Sequence, residues 1–199
     1  MAQCASTVKK ISLELGGNAP FIVFDDADID AAVSHCVATK FRNCGQTCVC
    51  TNRIFVHESI AEEFTDKLQQ SIAALKVANG LEEGAEIGPM INIQALEKMD
   101  TLMADALSKG AKVLIGGARH ELGQNFFQPT LLTDINDAMR LANEEIFGPI
   151  AAVQTFTTEE EVIAKANATE YGLAAYFFTR DIGRVMRVSE DLEYGIVCS

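Results

Sequence analysis

Three of the six cysteines fall within ten residues, "FRNCGQTCVC" at positions 41–50: Cys44, Cys48 and Cys50. A cysteine acts as a nucleophile through its thiolate, so it needs access, pliable backbone nearby and a reason to ionise. Cys48 has the first two, because it follows Gly45 in a polar break after an amphipathic stretch, the kind of loop that carries chemistry. Cys36 lies on an apolar helical face, Cys4 is near a terminus and Cys198 sits in an apolar run; each reads as a small hydrophobe. A metal site is the other use of clustered thiols. Here the spacing is Cys44-x3-Cys48-x-Cys50 with His35 and Cys36 upstream, and the second ligand pair of a zinc site is missing, so no metal is expected. Arg42 stands six positions before Cys48, where a cation also suits the end of a helix. Glu14, in "LELGG", is an acid between two leucines. In a strand it would point away from both, and two roles fit it: a solvated surface acid, or a base aimed into a cleft at the strand's carboxyl end.

These residues must be held by elements. "ISLEL" and "PFIVF" read as strands separated by the turn "GGNAP". Ile29, Ala32, Val33, Cys36, Val37 and Phe41 recur at helical spacing, with Asp26 or Asp28 as N-cap. "NCGQTC" ends that helix, and "RIFVH" is β-like. Ser59 and Glu62 form a capping-box pattern ahead of Phe64, Leu68, Ile72 and Leu75. After the loop "NGLEEGAEIGP", Leu96, Met99, Met103 and Leu107 mark a helix ended by Gly110. "KVLIGG", "FQPTLLT", "AAVQTF", "LAAYFFT" and "YGIVCS" follow as strands, with helices opened by Thr158 and running from Ile182 to Leu192 among the last three. The alternation predicts one α/β domain, a three-layer sandwich with a largely parallel sheet and helices on both faces.

Composition sets the limits. The 199 residues suffice for a substantial core, and no boundary, linker or repeat divides them. A net charge of −12 argues against a nucleic-acid or anionic-membrane partner, and no apolar run has the length of a membrane span. The N-terminus lacks a signal-peptide core, so reduced thiols in the cytosol, or in the mitochondrial matrix of a eukaryote, are expected.

"LELGGNAP", "FRNCGQTC" and "NEEIFGPI", in that order, resemble the catalytic domain of the aldehyde dehydrogenase superfamily, and the 34 positions from Glu14 to Cys48 match the spacing of its base and nucleophile. The resemblance covers the whole chain. "KFRNCGQTCVC" is similar to the branch that oxidises succinate semialdehyde to succinate in 4-aminobutyrate breakdown. It implies Cys48 as nucleophile, Glu14 as general base for thioester hydrolysis, and Glu145 and Phe147 as contacts to the nicotinamide ribose and ring of NAD or NADP. It gives Arg42 a substrate carboxylate to clamp, and Cys50 the role of a redox partner able to bridge to Cys48. Read from the residues alone, Glu145 is a solvated acid, Phe147 a core residue and Cys50 passive.

No strand–G-x-G-x-x-G–helix unit is present, so the cofactor-binding and oligomerisation segments of that family, and its second oxyanion donor, are expected outside these residues. The implied whole enzyme is a homo-oligomer. The chain by itself is expected to bind the dinucleotide poorly and not to complete hydride transfer. Two other classes stay open: a broad-specificity aldehyde dehydrogenase domain in which Arg42 is incidental, and a non-catalytic binding domain of the same fold.

Overall fold

The structure is a computed structural model and describes residues 1–199. Seven strands form one sheet: β1 (Ala19–Val23), β2 (Thr51–His57), β3 (Lys112–Ile115), β4 (Thr130–Thr133), β5 (Ile150–Phe156), β6 (Ala174–Phe178) and β7 (Ile196–Cys198). Their spatial order is β3-β4-β5-β2-β1-β6-β7, and every neighbouring pair is parallel except β3 with β4. The helices are α1 (Ala2–Ala5), α2 (Ile29–Phe41), α3 (Ala61–Ala73), α4 (Ile93–Ser108), α5 (Arg140–Asn143), α6 (Glu159–Asn167) and α7 (Ile182–Asp191).

Side chains alternate across the sheet and build a core on each face. Phe21, Val23, Ile54 and Val56 join a large cluster with Cys36 of α2, Phe64, Leu68 and Ile72 of α3, and Leu96, Met99 and Met103 of α4. Ile22, Phe24 and Phe55 point the other way, against Val162 and Ala166 of α6 and Val188 of α7. This is the expected three-layer α/β/α sandwich. No helix is long and apolar enough to cross a membrane.

Local chemistry explains the helix ends. The Asp28 carboxylate accepts from the Ala31 N–H at 3.1 Å and starts α2, while Asp26 is used elsewhere. Thr158 caps α6 through the Glu161 N–H, as expected. The Ser59–Glu62 capping box does not form. The His57 imidazole accepts from the Ser59 N–H instead, a short 3-10 turn intervenes, and α3 begins at Ala61. Gly110, at φ +99°, ends α4. Leu107, expected on the buried face of α4, is exposed.

The expected strand "ISLEL" is absent. Ile11, Leu13 and Leu15 are 43%, 57% and 66% exposed and make no ladder. A strand needs a partner for its backbone groups, and both edges of the adjoining β1 are already taken by β2 and β6.

The carboxyl ends of the strands are not where the expected site residues gather. β1 leads into α2 on one face and β6 into α7 on the other, a switch point where such sheets usually bind ligands. Here Asp26 fills it. Its carboxylate accepts from the Thr179 hydroxyl, the Arg180 and Asp181 N–H groups and Arg184. The segments bearing Gly17, Cys48 and Phe147 precede β1, β2 and β5, and so lie at the amino ends.

Candidate active site

Residues 42–50 leave α2 through a 3-10 turn, Arg42–Gly45, in which Asn43, Cys44 and Gly45 all have positive φ. Two consecutive non-glycine residues in the left-handed region cost about 1–3 kcal/mol each and persist only where neighbours hold them. The neighbours are visible. Asn43 Nδ2 donates to the Gln46 carbonyl at 3.0 Å and Gln46 Nε2 to the Asn43 carbonyl at 3.2 Å. Gln46 Oε1 accepts from the Ile91 N–H at 2.9 Å. Gly45 packs so closely on the Gly148 carbonyl that a Cβ has no room. The buried Cys44 thiol faces Met90 sulfur at 3.6 Å. On the far side of the nucleophile candidate, the Tyr176 hydroxyl of β6 donates to the Val49 carbonyl at 2.9 Å.

Within this loop the cysteines differ sharply. Cys36, Cys44 and Cys50 are buried, whereas Cys48 is half-exposed, and all are free thiols. Burial pushes the Cys44 thiol up to about 12, and the Cys36 thiol higher still. Cys50 points inward and donates to the Lys40 carbonyl at 3.3 Å. A bridge to Cys48 would therefore require its side chain to leave that contact.

The other motifs converge on the same place. Gly17 abuts the Cys48 carbonyl with no space for a side chain. Its N–H donates to Glu145 Oε1 at 2.8 Å, and a Cβ on Gly16 would come within 2.9 Å of Glu145 Oε2. Lys98 Nζ holds the Glu145 carbonyl at 2.6 Å. Glu145 is thus a half-buried, engaged carboxylate rather than a solvated acid. Phe147 is 36% exposed with φ +54° and takes no part in the core clusters. That combination is uncommon for a bulky residue and typical of functional loops.

Glu14 is exposed, three residues before Gly17, and has no hydrogen-bond or ion-pair partner. The three Cα–Cα steps from Glu14 to Gly17 span at most about 11 Å. Arg42 lies one residue beyond α2, not on its last turn, and is exposed. Its guanidinium is within electrostatic reach of the Tyr176 phenol, as are the thiols of Cys48, Cys50 and Cys198. Burial and those thiols raise the Tyr176 pKa above the ordinary phenol value, and Arg42 opposes them. Tyr176, Lys40 and Asn52 were not evident from the sequence; the one signal for Tyr176 is a lone hydroxyl in the apolar run "LAAYFF".

The aldehyde dehydrogenase family model matches residues 1–199. Over 197 residues, 99% of the chain, it is 57% identical to 3-sulfolactaldehyde dehydrogenase of Pseudomonas putida and 56% identical to the NADP(+) succinate-semialdehyde dehydrogenase GabD of Escherichia coli K12, covering 40% and 41% of their lengths. The fold superposes on the crystal structure of succinate-semialdehyde dehydrogenase from Burkholderia pseudomallei with a TM-score of 0.96 at 58% identity, over 99% of this chain and 41% of that one. The chain therefore spans about two-fifths of the relatives it matches. With its motifs gathered at the amino ends of the central strands, it belongs to the aldehyde dehydrogenase family.

Proposed function

We propose that the chain is the thiol-bearing domain of a semialdehyde dehydrogenase that oxidises succinate semialdehyde to succinate in 4-aminobutyrate breakdown. The remaining cofactor-binding and oligomerisation segments belong to a longer, homo-oligomeric enzyme. The proposed setting is the cytosol, or the mitochondrial matrix in a eukaryote.

The observation that carries the substrate assignment is Arg42. Of the seven arginines it alone has no protein partner: five pair with carboxylates, and buried Arg53 donates to carbonyls and to the Tyr194 hydroxyl. An unpaired guanidinium on the nucleophile's loop, in a chain of net charge −12, suits a small substrate with an anionic end. The relatives named for 3-sulfolactaldehyde, succinate semialdehyde and glutarate semialdehyde all denote aldehydes bearing an acid group.

In this reading the Cys48 thiolate adds to the aldehyde carbon, giving a thiohemiacetal whose oxyanion is met by the Cys48 N–H. Tyr176 on the Val49 carbonyl and Gly17 against the Cys48 carbonyl hold the two peptides that follow it in place. Glu145 offers a carboxylate suited to ribose hydroxyls, and Phe147 an exposed ring suited to nicotinamide. NAD or NADP, when bound, supplies the hydride acceptor that turns the thiohemiacetal into a thioester. Glu14, exposed and unpaired, is free to take a proton from the water that hydrolyses this thioester. Cys50 is the proposed redox partner of Cys48.

The test replaces Arg42 with leucine in the full-length enzyme. With succinate semialdehyde, kcat/KM is expected to fall about tenfold or more, and with a neutral aldehyde of similar length to stay near wild type. Equal losses on both would favour a broad-specificity enzyme in which Arg42 is incidental.

A further inference from the structure

Lys40 is a buried charge that the proposed chemistry does not use. It sits near the end of α2 with no exposed surface, and its ammonium has one oxygen partner, Asn52 Oδ1 at 3.1 Å. Burial draws its pKa down; the nearby thiols of Cys50, Cys36 and Cys44 pull the other way. A buried, sparsely paired ammonium opposes folding relative to an apolar side chain of equal size, so its contacts are informative.

Those contacts lead to the nucleophile's backbone by two routes. An ammonium only donates, so it fixes the Asn52 amide with Oδ1 toward Lys40. Asn52 Nδ2 is then left to donate to the Gly17 carbonyl, at 3.4 Å. Gly17 is thereby held on both sides, its C=O by Asn52 and its N–H by Glu145, while its Cα lies against the Cys48 carbonyl. The second route runs through the Lys40 backbone carbonyl, which accepts from the Cys50 thiol two residues beyond Cys48 and does not depend on the ammonium.

We propose that Lys40 is a positioning residue that orients the Asn52 amide and, through Gly17, sets both the Cys48 peptide and the root of the segment bearing Glu14. The assignment rests on Cys48 being the nucleophile. The relay explains why a donor-only cation occupies this position: it anchors Oδ1 and so fixes the side chain that donates to Gly17, whereas an apolar residue would leave Oδ1 without that partner and the amide held at one end only.

Two variants of the full-length enzyme test it. Lys40→Met removes the cation while keeping the length of the side chain. Asn52→Asp leaves Lys40 an acceptor, so the fold keeps its buried pair, but removes the donor to Gly17. Both are expected to lower kcat about tenfold or more with KM within about twofold, since misplacing a nucleophile affects the chemical step. Both are also expected to speed alkylation of Cys48 by iodoacetamide about threefold or more as its loop opens more often. A folded Asn52→Asp enzyme with wild-type kcat and wild-type alkylation would overturn the relay, as would a loss confined to thermal stability. Cys48→Ala, assayed in parallel, separates the two ideas. If the wild-type enzyme shows no Cys48-dependent turnover, the proposed function fails, while the alkylation rates still decide the relay.

Discussion

Cys48 differs from its neighbours in exposure more than in sequence context. Cys44 and Cys50 share the same ten residues, yet both are turned into the core. Native-state labelling with a maleimide at pH 7 is therefore expected to modify Cys4, Cys48 and Cys198 promptly, and Cys36, Cys44 and Cys50 only after unfolding. Labelling of Cys44 at the rate of Cys48 would contradict the burial argument. In the full-length enzyme, Cys48→Ala should abolish oxidation, while Cys44→Ala should retain most of it at some cost in stability, about 1–2 kcal/mol for a small buried side chain. The accessible loop cysteine was legible because glycine and polar residues interrupt a helical pattern just before it. Lys40 and Tyr176 were not. A lysine between Thr39 and Phe41 reads as solvated until Asn52 is seen to receive it, and the hydroxyl of Tyr176 finds its acceptor 127 residues away.

The elements that hold the site depend on long-range polar braces as well as on apolar faces. Arg53 of β2 donates from Nε to the Asn18 carbonyl at 3.0 Å, next to Gly17, and from its two terminal nitrogens to the Lys165 and Ala166 carbonyls of α6 and the Tyr194 hydroxyl. Replacing it with methionine strands these buried acceptors, and a loss of about 3 kcal/mol or more, some 6 °C in Tm, is expected; a Tm within about 1 °C of wild type would deny it that role. At the opposite end of the sheet, burial alone would raise the Asp26 pKa, but hydrogen bonds from Thr179 and the Arg180 N–H, with the charge of Arg184, outweigh it and hold the group below the usual aspartate value. A folded pKa below the unfolded one contributes stability that is present above the unfolded value and is lost as pH falls through the folded one. Asp26→Asn is thus expected to be less stable than wild type at pH 7 by about 1–3 kcal/mol, with the gap closing as pH falls below the unfolded aspartate value of about 3.9 in denaturant titrations. A gap that stays constant with pH would remove the charge from the explanation. Most strands and helices were readable from their periodicity because each buries one or both faces against a neighbour. "ISLEL" was misread because alternation alone does not supply a pairing partner and both edges of β1 are taken, and the Ser59 cap because His57 competes for the same N–H.

At the scale of the whole molecule, the proposed site would be one part of an active centre. The segments bearing Gly17, Cys48 and Phe147 lie along the amino ends of β1, β2 and β5, and Ile11, Leu13, Leu15 and Phe147 are exposed. The isolated chain is accordingly expected to give no sustained reduction of NAD or NADP with succinate semialdehyde, and its exposed apolar residues to favour self-association in sedimentation experiments. Turnover near the rate of the full-length enzyme would show that the chain holds the complete machinery. The central claim is covalent chemistry at Cys48 on a carboxylated aldehyde, with Glu14 needed only to release the product. It is tested most directly by mixing full-length Glu14→Gln enzyme with succinate semialdehyde and cofactor, quenching in acid and mapping the adduct by peptide mass spectrometry. The expected result is a succinyl group, in thioester linkage, on the peptide carrying Cys48, accompanied by a single-turnover burst of reduced cofactor. An adduct on Cys44 or Cys50, or a burst with no acyl group on any cysteine, would contradict it.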